Sequence, residues 1–445
     1  MISIVYKIPL SAELIEQLSQ KHGLPDAGSA SIREIVHLVN IIERETGLRY
    51  VRMEMGVPGL PTPSIGLEAE MAALKTGVSA IYPEITGLSL LKNETSRFVK
   101  LFLNVDVSPQ GCIPTVGSMM GGIMVFLVAN RRGQTKESTL FIDPGFPVQK
   151  QQVKMLGQNY YSFDVYNYRG KKLRPKLESY LQTGKISTLL YSNPNNPAWI
   201  CLTEEELSII GELATEYDVI VIEDLAYFGM DFRKDYSRPG EPPFQPTIAH
   251  YTDNYVILLS SSKIFSYAGQ RIGTLVISDS LFNRSYPNLL KYYSSDKFGH
   301  SVVFGALYAL SAGVSHSAQY GLAALMKAQN DGTYNYREEV KEYAEKAAIM
   351  KNFFVSNGFN IVYDTDIDVP IADGFYFTIS YPGMDGKELL RELIRYGISA
   401  ISLDITGSER NEGLRACVSM VPRDLFNDLS ARLKMFGEAH PIKNK

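Results

Sequence analysis

Five short apolar runs, each broken off by a polar or Gly/Pro-rich turn, constrain this chain more than any other feature. They are Ser138–Ile142 before Asp-Pro-Gly-Phe-Pro, Ile186–Tyr191 before Ser-Asn-Pro-Asn-Asn-Pro, Val219–Ile222 before Glu-Asp, Tyr255–Leu259 before Ser-Ser-Ser-Lys, and Thr274–Ile277. None alternates cleanly between apolar and polar, so each predicts a strand buried on both faces, as in a parallel sheet covered by helices. Helical patterns lie between them. The clearest is Thr203–Tyr217, where Thr203 and Glu206 form a capping box and Leu207, Ile210, Leu213 and Tyr217 line one face. Strand, turn and helix in alternation predict an α/β fold. Ligands of such sheets gather at the carboxyl ends of the strands, and the unusual polar residues of this chain follow the apolar runs.

At 445 residues the chain exceeds what one core supports. The expected division is a large domain over 56–329 and a smaller α+β domain built from 1–55 with 330–445. The second half of that small domain shows a charged helical stretch from Asn335 to Asn357, a strand at Phe375–Ile379 and a helix at Gly386–Tyr396; a helix near Ser31–Glu45 belongs with it. A net charge of −4 gives no general attraction to nucleic acid, and the basic stretch Arg169–Lys176 reads as a solvated loop. Three cysteines form no disulfide framework, and six histidines with no cysteine at ligand spacing predict no metal site. The longest apolar run, Ile123–Ala129, is far short of the ~20 residues that span a bilayer. No secretory pattern opens the chain, so a cytoplasmic protein without a membrane partner is expected.

Three segments carry chemistry. In Ser260-Ser261-Ser262-Lys263, followed by Gly269-Gln270-Arg271-Ile272-Gly273, an amine and a guanidinium stand eight positions apart behind an apolar strand. A lone lysine after a strand is most often a solvated charge. Hydroxyls, an arginine and flanking glycines also make a phosphate cradle, and an amine held beside cations is a usable nucleophile. Glu223-Asp224-Leu225-Ala226-Tyr227 ends the most apolar strand; the acid reads either as a cap or as the partner of a ring nitrogen, with the phenol near a ring oxygen. Ser192-Asn193-Pro194-Asn195-Asn196-Pro197 reads equally as a plain turn.

Together these segments resemble the class I/II aminotransferases of the fold-type I pyridoxal-phosphate enzymes, and the Asn196–Asp224 and Lys263–Arg271 spacings fit that family. The resemblance runs from Ser29 to the C-terminus and implies a mostly parallel seven-stranded sheet flanked by helices, plus the smaller domain. It implies that Lys263 carries pyridoxal 5'-phosphate as a Schiff base and that Asp224 pairs with the pyridine nitrogen. Tyr227 and Asn196 would bond the phenolic oxygen, while Ser260 and Arg271 grip the phosphate. Gly117, Ser118 and Met119, in Thr-Val-Gly-Ser-Met, resemble the phosphate loop at a helix start. Phe146 resembles the ring that stacks on the cofactor, and Tyr82 the tyrosine that crosses to a partner subunit's phosphate. Gly56, Asn196 and Arg415 resemble the substrate-carboxylate contacts. Two positions depart: Ala198-Trp199 stand where Thr-Gly is usual, and Met119 stands where some aspartate-type relatives carry lysine, which argues against a dicarboxylate.

The function implied is transfer of an amino group from an L-amino acid to a 2-oxo acid, by a ping-pong route through pyridoxamine phosphate. Lys263, Asp224 and Tyr227 would be the catalytic set, in a homodimer with shared active sites. The same residues serve a C–S β-lyase or other carbanion chemistry at Cα, the alternative within this scaffold. A transaminase-like effector domain of a transcription regulator would need a DNA-binding module, and no basic recognition helix is present.

Overall fold

The computed structural model describes residues 7–442. Residues 1–6 and 443–445 of the expected small domain lie outside the described residues. The chain forms two compact units, one of residues 60–195 and 201–340, the other of 1–59, 196–200 and 341–445. The boundaries therefore fall at 59/60 and 340/341 rather than at 55/56 and 329/330, the second within the helix Tyr336–Val355. The segment 196–200 groups with the smaller unit instead of the larger one.

The larger unit is built on seven strands: β1 (Cys112–Thr115), β2 (Ser138–Asp143), β3 (Tyr160–Asp164), β4 (Ile186–Ser192), β5 (Ile220–Leu225), β6 (Tyr255–Ser260) and β7 (Gly273–Ile277). They stand in the order β1-β7-β6-β5-β4-β2-β3, and only β7 runs antiparallel to its neighbours. The central strands are rich in apolar residues because both faces are covered: Ile220, Val221, Ile222, Val256 and Ile257 are fully buried. Two strands were not foreseen in the sequence, β1 and β3, both at sheet edges. Strand β5 also continues through Glu223-Asp224-Leu225, so Asp224 lies inside its last turn of pleat and not beyond it.

Helix α1 (Gly117–Ala129) is apolar on every side, and Met124, Val125, Phe126, Val128 and Ala129 are fully buried. Helix α2 (Pro147–Met155) follows β2, and α3 (Glu204–Glu216) opens on the expected capping box. The segment Arg169–Lys176 is not a solvated loop. It is a short 3-10 turn leading into the helix Leu173–Leu181, and the Arg169 side chain is buried against Glu206. In the smaller unit a four-stranded antiparallel sheet joins β8 (Asn360–Ile361), β9 (Tyr376–Ser380), β10 (Ile401–Ser402) and β11 (Leu414–Cys417) in the order β10-β11-β9-β8. Helices Ile32–Thr46, Gly386–Arg395 and Phe426–Ala439 belong to the same unit, the first opening on a Ser31/Glu34 capping box. Among the described residues no helix is long and apolar enough to cross a membrane, and no disulfide joins the three cysteines.

Glu206 joins three jobs in one fully buried carboxylate. It closes the α3 capping box through the Thr203 N–H at 2.9 Å and accepts from the Gly170 N–H at 2.8 Å. It also pairs in a fork with Arg169 at 2.7 and 2.9 Å. Burial pushes its pKa up, but the Arg169 bonds and the amides outweigh burial and leave it below the usual carboxylate value. Glu206→Ala should therefore lower the unfolding free energy by about 3–5 kcal/mol by removing the carboxylate from the buried Arg169 guanidinium, against about 1 kcal/mol for Thr203→Ala. A group whose folded pKa is depressed stabilises above its unfolded pKa and ceases to as pH falls. In urea titrations, the gap between the two variants should narrow from pH 7 toward pH 4.

Candidate functional site

The carboxyl edge of the large sheet gathers polar residues in register. Thr115 at the end of β1 is opposite Gly273, Gly273 is opposite Ser260, Leu259 is opposite Leu225, and Asp224 is opposite Ser192. Five adjacent strands thus bring one end each to a single rim, four by their last residues and β7 by its first.

Asp224 is buried there. Its Oδ2 accepts from the Gln149 amide at 2.8 Å and its Oδ1 from the Ala226 N–H at 3.1 Å. Among the described residues no cation stands within ion-pair distance of it. Burial raises its pKa to about 6, against the two hydrogen bonds, which lower it. Tyr227, in the turn that follows β5, is buried as well.

Ser260 ends β6 and caps the short helix α4 (Ser261–Ile264), its Oγ accepting from the Ser262 N–H at 3.2 Å. Lys263, half-buried, is the third residue of that helix. The chain then turns through Arg271, which holds a left-handed φ of 52° and donates from Nη1 to the Ala268 carbonyl at 3.0 Å. The Arg271 guanidinium lies against the start of α1: a Cβ on Gly117 would stand 2.7 Å from Nη2, and Gly117 itself has φ 67°. Only glycine meets both conditions. On the other side a Cβ on Gly273 would stand 3.3 Å from the Ser118 N. Helix α1 carries no side-chain cap, so the first-turn N–H groups of Ser118 and Met119 receive no acceptor from a capping side chain. A helix N-terminus, a guanidinium and a serine hydroxyl make a cradle for a phosphate dianion.

Phe146, half-buried, is the residue before α2. Sequence reasoning missed two neighbours on that helix. Gln149 holds Asp224, and Gln152 donates to the Met119 carbonyl at 2.9 Å, tying α2 to the start of α1. Both are buried, and their spacing of three with Val153 beside them was the available signal: amides on the inward face of a helix. Tyr82 stands elsewhere on the larger unit, 90% exposed beside Ile81, in a groove walled by Ser311–Ser317.

The smaller unit gathers Gly56, Asn196 and Arg415. Arg415, on β11 opposite Thr378 and Ile401, is 2% exposed. Its Nη1 donates to Asn196 Oδ1 at 3.3 Å and its Nη2 to the Glu54 carbonyl, while Nε is buried with no acceptor. Its guanidinium carbon lies 4.6 Å from the centroid of the Tyr376 ring, and a Cβ on Gly56 would meet the Tyr376 hydroxyl. Glu54 and Tyr376 were not singled out in the sequence; the aromatic run Phe375-Tyr376-Phe377 was the signal for the latter.

Residues 54–432 match the family model described as aminotransferase class I and II. Among curated proteins, a probable aspartate aminotransferase of Methanocaldococcus jannaschii is 22% identical over 82% of this chain and 86% of its own length. Aromatic-amino-acid aminotransferase 2 of Thermococcus litoralis is 28% identical, over 55% of this chain and 60% of that protein. Among solved structures, an aminotransferase from Mycobacterium tuberculosis superposes with a TM-score of 0.75 at 16% identity, covering 94% of this chain and 98% of its own. That likeness shows the fold.

The lone Asp224 carboxyl has a measurable consequence in protein stripped of cofactor. A carboxyl whose folded pKa is raised contributes stability that is full below its ordinary value and is lost as pH rises through about 6. Asp224→Asn should therefore raise the stability of cofactor-free protein at pH 8, by on the order of 3 kcal/mol. The gain should fade toward pH 4. A thermal-melt difference that stays flat across that range would refute this account of the residue.

Proposed function

We infer the reaction from one premise: the chain belongs to the class I and II aminotransferases. It is a pyridoxal-phosphate-dependent enzyme of fold type I, with amino acid and 2-oxo acid substrates. The reading drawn here is that it moves the amino group of an L-amino acid to a 2-oxo acid in two alternating half-reactions. The observation that carries this reading is Asp224, a buried carboxyl with no cation within ion-pair distance among the described residues, on the same rim as an uncapped helix N-terminus with Arg271 against it. An aromatic cation-bearing ring with a phosphate arm fits that pair of sites.

When bound, the cofactor supplies an electron sink for the pair left on the amino acid's α-carbon. The residues do the rest. Asp224, aligned by Gln149, would keep a proton on the ring nitrogen. By the family resemblance Tyr227 and Asn196 would each offer a hydrogen bond to the phenolic oxygen, Phe146 would pack on the ring, and Ser260, Arg271 and the N–H groups of Ser118 and Met119, beside Gly117, would bind the phosphate. Lys263 would hold the cofactor through its amine and, when that amine is free, would serve as the base and acid that moves the substrate's α-proton. Arg415 binds the α-carboxylate, supported by Gly56 and Asn196; its unpartnered Nε supports this role.

Lys263→Ala should retain cofactor non-covalently and lose ~10²–10⁴-fold or more of turnover, and borohydride should fix the cofactor of wild-type protein onto Lys263 alone. A panel of twenty amino acids, each with a 2-oxo acid acceptor, should yield at least one new amino acid and the donor's keto acid. Pyruvate and ammonia from cystathionine without amino transfer would overturn the reading.

A homodimer in which Tyr82 reaches the partner's phosphate completes the proposal. The exposed Leu74, Ile81 and Tyr82 along one groove support it. Light scattering should give twice the chain mass, and Tyr82→Ala should weaken cofactor retention. A fully active monomer would contradict it.

A further inference from the structure

Trp199 stands where the family usually has glycine, and it keeps a glycine-like backbone: its φ is 63°, in the left-handed region that a bulky side chain enters only under constraint. The constraint is packing. The indole is fully buried, and space for it exists only because residue 374 is glycine; a Cβ there would lie 2.1 Å from the indole Cε2 and 2.2 Å from Nε1. The indole meets the Tyr376 ring edge-on, centroids 6.0 Å apart and planes 68° apart. Tyr376 is held at its far end too, its hydroxyl pressed on the Gly56 backbone. Over the face of that ring lies the Arg415 guanidinium, at 4.6 Å.

A guanidinium recognises a carboxylate through two parallel N–H bonds, so its plane matters as much as its position. The Asn196 and Glu54 acceptors fix two of the Arg415 nitrogens, and the face of Tyr376 fixes the plane. That ring can set a plane only if it cannot tilt. We propose that Trp199 is a positioning residue which, by clamping the edge of Tyr376, holds the Arg415 guanidinium in the plane that a substrate carboxylate requires. The proposal rests on the reading of Arg415 as the carboxylate-binding residue. An indole that merely filled the core would affect stability and leave substrate affinity alone.

The test compares holoenzymes carrying Trp199→Leu, Trp199→Phe and Gly374→Ala, with folding checked by circular dichroism and melting. For the best amino donor of the panel, Trp199→Leu should raise KM ~10-fold or more while kcat changes less than ~3-fold. Trp199→Phe, which keeps an aromatic edge, should recover most of that loss. Gly374→Ala, which pushes a methyl group into the indole, should raise KM in the same direction, and it decides the matter if the leucine variant does not fold. A folded leucine variant or Gly374→Ala with wild-type KM overturns the proposal. Wild-type protein that transaminates nothing overturns the functional reading instead. In that event, Trp199, the only tryptophan in the chain, reports directly: propionate should change its emission saturably, and Arg415→Lys should abolish the change. No emission change in the wild type would overturn the clamp as well.

Discussion

Asp224 and its neighbour Glu223 are consecutive buried acids on one strand, and they face opposite sides of the sheet because side chains alternate along a strand. Glu223 is fully provided for: the Tyr191 and Thr247 hydroxyls and the Ile248 N–H all donate to it. Burial still raises its pKa to about 7, against these hydrogen bonds, which lower it. Asp224 has one amide side chain and one backbone N–H, a poorer set for a charge taken out of water. The first acid is finished by the protein. The second has the poorer set of donors, and on the reading proposed above a protonated ring would complete it.

The rim is built by sheet register and not by any one loop. Gly117 and Arg271 come from segments far apart in the chain, yet β1 and β7 are paired through Thr115 and Gly273, so the start of α1 and the end of the Lys263–Arg271 turn are placed side by side. Ser260, opposite the same Gly273 on β6, joins them. Helix α2 then locks two of these parts together from outside the sheet, with Gln149 on Asp224 and Gln152 on the first turn of α1. The start of α1, Arg271 and a buried acid are thereby fixed to one layer, which would preorganise them for the ligand proposed above.

What was legible in the chain follows from how strongly each element depends on local signals. The central strands announced themselves because burial on both faces selects apolar runs, and the cap at Thr203/Glu206 because hydrogen-bonding residues at fixed spacing are local. Edge strand β3 was invisible: Tyr160, Tyr161 and Ser162 are only half-buried, so no apolar run marks it. Strand β1 contains Pro114 and has only four residues. Arg169 looked like a surface charge because its partner, Glu206, lies 37 positions away and is brought to it by tertiary folding alone. Gln149 escaped for the same reason; its value depends on Asp224, 75 positions on.

The backbone itself records where the fold bends local rules. Among the described residues seven other than glycine hold positive φ, and three of them, Trp199, Ser266 and Arg271, lie in the segments that carry Asn196 and Lys263. Each is over-determined by surroundings. The Ser266 carbonyl accepts from the Thr62 hydroxyl at 2.6 Å, and the next residue, Tyr267, is buried and bonded to Glu70, which also accepts from Ser317 at 3.0 Å. Arg271 is anchored through Ala268, and Trp199 by complete burial against Gly374. A backbone that relaxed at Ser266 would change the span from Lys263 to Arg271, and with it the placement of the amine relative to the guanidinium. Strain held in place by these hydrogen bonds and by packing keeps that span fixed.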